Sequence, residues 1–387
     1  MELLENSDRL IAKTFEGLEG ILAGELENLG AGNIRIIKRG VSFTGDKKMM
    51  YKANYLCRSA LRVLKPIAEF SIGNQDDFYE KVLGIPWEKF LTLQKTFAID
   101  PVVFSGIFTH SHFAALRCKD AIADRFLKKH KRRPSVDTKD TDILVNLHIK
   151  EQQVTLSLDS SGNSLHLRGY RKRSAEAPLN EVLAAGMIML TGWKGDVDLY
   201  DPFCGSGTLL IEGAMHAMNI PAGHYRENYG FMNWADYDGK LWNDIKQDAE
   251  GKKKSPGCRF FGSDISGTAI SASRVNIRTA GLSREIDLKK KDVRDTSKSG
   301  PEGIIITNPP YGERMKIDNI SDLYSELGDT LKNNYLGFSA WVLTSEREAL
   351  KNVGLRTSKK LILFNGPLEC RFANFELYKG SRKPDKN

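Results

Sequence analysis

From about Gly195 onward the chain is paced by short apolar runs: VDLYDPF, RFFGSD, EIDLKK, GIIIT and FSAWVLT. Stretches of helical character separate them, and strands alternating with helices are the pattern of a doubly wound α/β sheet. The last two runs, KLILF and ANFELY, are divided only by an NGP turn, so the sheet is expected to finish in a hairpin. Such a sheet constrains function as well as shape, because ligands bind outside the carboxyl ends of its strands. The residues at those ends therefore matter most.

The first half has a different texture. Residues 1 to about 70 carry a helical pattern, FEGLEGILAGELENLG, with apolar positions at Leu18, Ile21, Leu22, Leu26 and Leu29 and a stop at Gly30. A strand-like VSFTG follows, then a second helical stretch over MMYKANYLCRSALRVL. Residues about 71 to 160 give FYEKVLGIPWEKFL, a strand-like TFAIDPVVF, a helix-like FAALRCKDAIADRFLKKH, and two alternating runs, DILVNLHIK and QVTLSLD, around a turn at Glu151. This is an α+β pattern. No internal repeat interrupts either half, and the tail after Lys379 reads as disordered.

Composition removes several classes. With 41% hydrophobic and 27% charged residues, and no apolar run long enough to span a bilayer, the chain reads as soluble. Its start, MELLENSDRL, is acidic where a secretory signal is basic, which predicts a cytoplasmic protein. Five scattered cysteines without a CxxC pair argue against a disulfide framework and against zinc, so no metal is expected. A net charge of +8 favours a polyanionic partner. Basic residues cluster at Lys128, Lys129, Lys131, Arg132 and Arg133, at Arg168, Arg171, Lys172 and Arg173, and at Lys289, Lys290 and Lys291. Of these, Lys128, Lys129, Lys131, Arg132, Arg133, Arg171 and Arg173 are the candidate contacts for a phosphate backbone.

The segment DPFCGSGTLLIEGA puts an acid at the end of the first strand and a Gly-x-Gly turn before a helix. Gly205 and Gly207 permit a tight turn with room for a ligand, and the helix start offers free N–H groups. A dinucleotide fingerprint wants a third glycine where Leu210 stands, and a phosphate-binding loop wants a Gly-Lys-Ser/Thr that is absent. A ligand without phosphates remains, with Asp201 suited to a cationic amino group. Asp264, at the end of the second strand, is suited to ribose hydroxyls. It lies 57 residues after Gly207 instead of the roughly 20 of dinucleotide folds. The excess is an aromatic insertion, about 217 to 257, expected to line a substrate cleft. Asp292, after the third strand, is placed for an adenine amine. Three acids and a Gly-x-Gly turn in this register match S-adenosylmethionine. Cys204 is read as a packing residue.

The fourth strand runs into Asn308, Pro309, Pro310 and Tyr311. Prolines have no N–H, so the loop offers acceptors, the Asn308 side-chain oxygen and the Pro309 carbonyl, beside an aromatic face. Two acceptors suit an exocyclic NH2 on a flat base lifted out of its stack, with Tyr311 replacing the lost neighbour.

DPFCGSGTLLIE, FGSDIS and TNPPYGERM together resemble the motifs of amino-group S-adenosylmethionine-dependent methyltransferases. FTHSHFAALRCKDAIADRF and LHLRGYRKRSAEAPLNEVLAAGMI look like the THUMP-domain branch, specifically the large-subunit rRNA guanine-N2 methyltransferase family. The resemblance covers nearly the whole chain. It implies a ferredoxin-like segment over 1–70, a THUMP-like RNA-binding domain over 71–160, and a class I (Rossmann-like) methyltransferase domain over 161–387 with strand order 3-2-1-4-5-7-6. It also implies that Pro178 and Leu179 enclose the methionine end of the cofactor, with Phe203, Thr208, Ile265, Val293 and Asn308 among its contacts. Some relatives fuse a second methyltransferase domain where this sequence stops. The reading is methyl transfer to guanine N2 in 23S rRNA. Its alternatives are adenine N6, tRNA guanine N2, a glutamine side chain of a protein, and a non-catalytic RNA-binding assembly factor.

Overall fold

The computed structural model describes residues 2–4, 7–174, 178–311 and 320–378. Residues 312–315 of the acceptor motif and the tail from Lys379 lie outside the described residues. The chain divides into two compact units. One comprises Met1–Thr14, Leu22–Leu165 and Glu227–Gln247, the other Phe15–Ile21, His166–Arg226 and Asp248–Asn387.

The first unit is built on one sheet. Its strands are β1 (Glu2–Leu3), β2 (Arg9–Lys13), β3 (Gly32–Ile37), β4 (Gly40–Thr44), β5 (Arg62–Ser71), β6 (Phe97–Phe104), β7 (Ile143–Lys150) and β8 (Gln153–Asp159). Their order is β3-β4-β2-β5-β8-β7-β6, with β1 on β5, and among the described residues only β6 and β7 run parallel as neighbouring strands. Pro101 is tolerated because β6 is an edge strand. Helices α1 (Glu19–Asn28), α2 (Lys47–Leu56), α3 (Gln75–Gly84) and α4 (Ser111–His130) alternate with these strands. Strand β5 pairs with β2 on one side and β8 on the other, so the sheet runs on through residue 70. The helix expected over MMYKANYLCRSALRVL ends at Leu56. There the Glu25 carboxylate takes the backbone N–H groups of Arg58 (2.7 Å) and Ser59 (2.9 Å), and Val63 and Leu64 are buried as part of β5.

Among the described residues the second unit has seven strands: β9 (Asp198–Asp201), β10 (Phe260–Asp264), β11 (Ile286–Lys290), β12 (Gly303–Thr307), β13 (Ser339–Thr344), β14 (Thr357–Asn365) and β15 (Leu368–Glu376). The order is β11-β10-β9-β12-β13-β15-β14. Neighbours are parallel up to β13, and the final hairpin is antiparallel. This is the expected 3-2-1-4-5-7-6 arrangement of a class I methyltransferase fold. Helices α5 (Glu181–Leu190), α6 (Thr208–Ala217), α8 (Gly267–Thr279), α9 (Ile320–Asn334) and α10 (Ala349–Asn352) belong to this unit, whereas α7 (Gly239–Glu250) falls mostly in the first. The central strand β12 is Gly-Ile-Ile-Ile-Thr with Ile304 to Thr307 all buried, as its uniform apolarity requires.

Part of the aromatic insertion is core. Its residues 227–247 belong to the first unit, where Phe231 is 0% exposed and stacks on Tyr51 at 4.2 Å. Trp242 meets Tyr51, Tyr55, Tyr229 and Phe231 at 5.1 to 6.0 Å, mostly edge-on. The Tyr51 hydroxyl accepts the Asp238 N–H at 3.1 Å. These aromatics are core, which a count of aromatic residues in a loop does not distinguish from a binding surface.

Candidate active site

A cavity of about 710 Å³ opens at the carboxyl edge of the second unit's sheet. The turn between β9 and α6 forms one wall. Gly205 has φ +52° with no atom within 4 Å of where a Cβ would stand, so a ligand has room against its backbone. Gly207 is glycine for another reason. It caps α6 at φ +84°, and a Cβ there would meet Ser273 Oγ at 2.8 Å. Ser273 Oγ in turn donates to the Gly205 carbonyl at 3.0 Å, tying the turn to α8.

Two acids close this wall. Asp201 is 2% exposed, and its Oδ1 accepts from Thr307 Oγ1 (2.7 Å) and the Phe203 N–H (3.2 Å). Both recorded bonds end on Oδ1, which leaves Oδ2 for a ligand. Burial pushes its carboxyl up to about 7, with only partial relief from those bonds. Asp264 accepts the Gly205 N–H on Oδ2 (3.0 Å) and the Ser266 N–H on Oδ1 (2.8 Å), and burial again raises it. Cys204 is buried, and burial pushes its thiol well above the usual range, so it packs and does not react.

The opposing lining comes from the end of β12. Asn308, Pro309, Pro310 and Tyr311 all reach the cavity. Asn308 Oδ1 is buried without a hydrogen-bond partner, a costly state for an amide oxygen. Tyr311 is 5% exposed, and its hydroxyl accepts from Asn365 Nδ2 at 2.8 Å, which fixes the loop to the β14 end of the hairpin. Thr307 was not singled out in the sequence, yet it joins the two walls through Asp201. Its position next to Asn308 was the only signal.

Pro178, Leu179, Phe203, Thr208 and Ile265 also line the cavity, and Ile265 is 65% exposed there. Asp292 and Val293 do not. Asp292 caps a short turn and is held by the Arg294 guanidinium at 2.8 Å, which lowers its carboxyl, while Val293 is in the hydrophobic core with Tyr200 and Leu327. Arg171 is engaged inside the unit. Its guanidinium is spent inside the unit on Glu181 (2.8 Å), the Leu179 carbonyl (2.7 Å) and Thr208 Oγ1 (3.0 Å). Arg168 is likewise buried, beside Glu212. Arg173 lines the cavity. Lys128, Lys129, Lys131, Arg132 and Arg133 are exposed at and beyond the end of α4 in the first unit, where Lys129 reaches Glu88 (3.4 Å) and Arg133 reaches Asp124 (2.7 Å). Lys289, Lys290 and Lys291 are exposed at the end of β11. Among the described residues no cluster of acids, histidines and cysteines is arranged to hold a metal, and no helix is long and apolar enough to cross a membrane.

Asn276 was also missed. This 1% exposed side chain on the buried face of α8 binds the backbone of residues 172 and 173 and the Ser206 carbonyl. A polar residue within the apolar face Ala269, Ile270, Ala272, Ile277 was the available signal.

Comparison with known proteins places this geometry. A family model described as an RMKL-like methyltransferase domain matches residues 168–374, a THUMP domain model matches 73–159, and an RlmL ferredoxin-like domain model matches 9–64. The ribosomal RNA large subunit methyltransferase K/L of Syntrophotalea carbinolica is 40% identical over 95% of this chain and 53% of its own length, so the chain spans about half of that relative. A candidate RNA methyltransferase of Synechocystis sp. is 37% identical over 95% of this chain and 96% of its own. Among solved structures, a candidate methyltransferase complexed with SAH superposes with a TM-score of 0.87 at 28% identity, covering 98% of this chain and 100% of that one. A Listeria monocytogenes protein named as a predicted N6-adenine-specific DNA methylase gives 0.84 at 29% identity, over 97% and 99%.

Proposed function

The chain belongs to the RMKL-like methyltransferase family, joined to a THUMP domain, and from that membership we propose that it methylates the exocyclic N2 amine of a guanine in 23S rRNA. Its cofactor is S-adenosylmethionine, which supplies an electrophilic methyl on a sulfonium. The residues present fit that cofactor. Asp201 Oδ2 suits the ammonium of the amino-acid end, Asp264 retains lone pairs for ribose hydroxyls, and Gly205 leaves backbone space between them. Pro178 and Leu179 close over the same end.

The observation that carries the acceptor side is Asn308 Oδ1, buried and unpartnered at the wall. A base amine is a poor nucleophile because its lone pair is delocalised into the ring. Asn308 Oδ1 and the Pro309 carbonyl take its two hydrogens, which turns the lone pair toward the methyl and stabilises the positive charge that grows on nitrogen. The two prolines keep N–H donors out of this loop. A base must leave its stack to reach it, and the Tyr311 ring is held at the wall by Asn365.

RNA as substrate rests on the THUMP match and the exposed basic cluster Lys128 to Arg133, and a cytoplasmic location is part of the same proposal. Adenine N6 is the second reading, since two acceptors serve any exocyclic amine and the Listeria neighbour carries that name. Transfer of labelled methyl to unmodified 23S rRNA and to bulk tRNA, followed by nucleoside analysis, decides. N2-methylguanosine from the rRNA is the expected product. Label in N6-methyladenosine keeps the loop and overturns the base; label confined to tRNA overturns the substrate.

A further inference from the structure

Arg173 is the one basic side chain among the described residues that line the cavity, and it faces a lining whose other charges are the acids Asp201 and Asp264. Its backbone is held firmly. Asn276 Oδ1 accepts the N–H groups of Lys172 (2.9 Å) and Arg173 (3.0 Å), and Asn276 Nδ2 donates to the carbonyls of Arg173 (2.7 Å) and Ser206 (3.0 Å). A single buried amide thus joins the 172–173 segment to the cofactor turn. Two residues earlier, Arg171 fixes the same segment to Thr208 and to Leu179. The Arg173 guanidinium, by contrast, has no hydrogen bond or ion pair among the described residues. An arginine immobilised at its backbone and left open at its head is preorganised for an anion, and the fork of a guanidinium matches a carboxylate.

We propose that Arg173 binds the carboxylate of the cofactor's amino-acid end, opposite the ammonium taken by Asp201. This rests on the reading of the cavity as an S-adenosylmethionine site, and it moves Arg173 from the RNA surface, where the sequence put it, to the cofactor. The amino-acid end is a zwitterion, so a site holding only Asp201 and Asp264 would leave its negative half unanswered. Pro178 and Leu179 line the same cavity as Arg173.

Calorimetric titration of wild type, Arg173→Gln and Arg173→Lys with S-adenosylhomocysteine and with its decarboxylated analogue tests the assignment, beside RNA binding by the same proteins. Arg173→Gln is expected to lose roughly 10- to 100-fold in affinity for S-adenosylhomocysteine, as for a hydrogen-bonded charge pair. Arg173→Lys is expected to recover part of the loss. The decarboxylated analogue should bind all three alike, and RNA affinity should stay within about twofold. Equal losses for both analogues, or a loss confined to RNA, overturn the proposal while leaving the cofactor reading in place. A wild type that binds neither analogue overturns both.

Discussion

The two loops lining the cavity are built on opposite plans. In the turn after β9, polar groups are answered from within: Gly205 N–H by Asp264, Gly205 carbonyl by Ser273, Asp201 by Thr307 and Phe203. In the loop after β12, two prolines remove donors and Asn308 Oδ1 is left buried with nothing to accept. The first is a finished receptor, stiff before anything binds. The second holds an unmet hydrogen bond, which the proposed substrate amine would relieve. On the proposed function, the difference means that cofactor affinity and methyl transfer are set by separate residues, linked through one bond from Thr307 to Asp201.

That separation can be broken by mutation. The largest effect is expected from Asn308→Ala, which should lower the single-turnover transfer rate by about 10²- to 10³-fold, the range for removing one acceptor of developing charge. On the other loop, Asp201→Asn should cost roughly 10- to 100-fold in S-adenosylhomocysteine affinity, for loss of a charge-assisted bond. Its pH dependence sharpens the comparison. Burial pushes the Asp201 carboxyl, proposed to bind the ammonium, up to about 7, so wild-type affinity should rise with pH up to about 7 and level off above, whereas Asp201→Asn should show no such step. Stability moves the other way. The folded carboxyl keeps its proton up to about 7 while the unfolded one releases it near ~4, so the ligand-free protein loses stability as pH rises through that window. Asp201→Asn should therefore melt higher than wild type at pH 8, with the gap closing toward pH 4.

Smaller effects separate the two glycines. Gly207→Ala puts a methyl against Ser273 Oγ at positive φ and should cost about 1 to 3 kcal/mol in denaturant unfolding. Gly205→Ala meets no neighbour, so its stability loss should be smaller and its loss of cofactor affinity larger. Smallest is the Arg132→Gln/Arg133→Gln pair in the first unit. It should flatten the dependence of RNA binding on salt by less than ~2 in log–log slope, because Arg133 already pairs with Asp124. An unchanged slope would move the RNA path elsewhere.

Much of the second unit was legible because its signals are local. Uniformly apolar GIIIT becomes central β12, and the acids Asp201 and Asp264 and the Asn308 loop share one cavity since adjacent parallel strands end together. What stayed hidden depends on partners distant in sequence. Arg171 looks as basic as Arg173 until Glu181, Leu179 and Thr208 are brought to it. Asp292 satisfies the strand-end pattern, but Arg294 takes its carboxylate. The aromatic insertion reads as a binding surface until Phe231 and Trp242 are found packed against Tyr51, more than 150 residues away. Leu18 packs where Gly186 on α5 leaves no room for a Cβ, a contact that periodicity in α1 does not announce.

Division of labour between the loops is tested most directly by calorimetric titration of S-adenosylhomocysteine into Asn308→Ala. A dissociation constant within about threefold of wild type is the predicted result, since the buried Oδ1 is reserved for the base amine. A loss of cofactor affinity as large as the loss in transfer rate would contradict it, and would make Asn308 part of the cofactor's receptor.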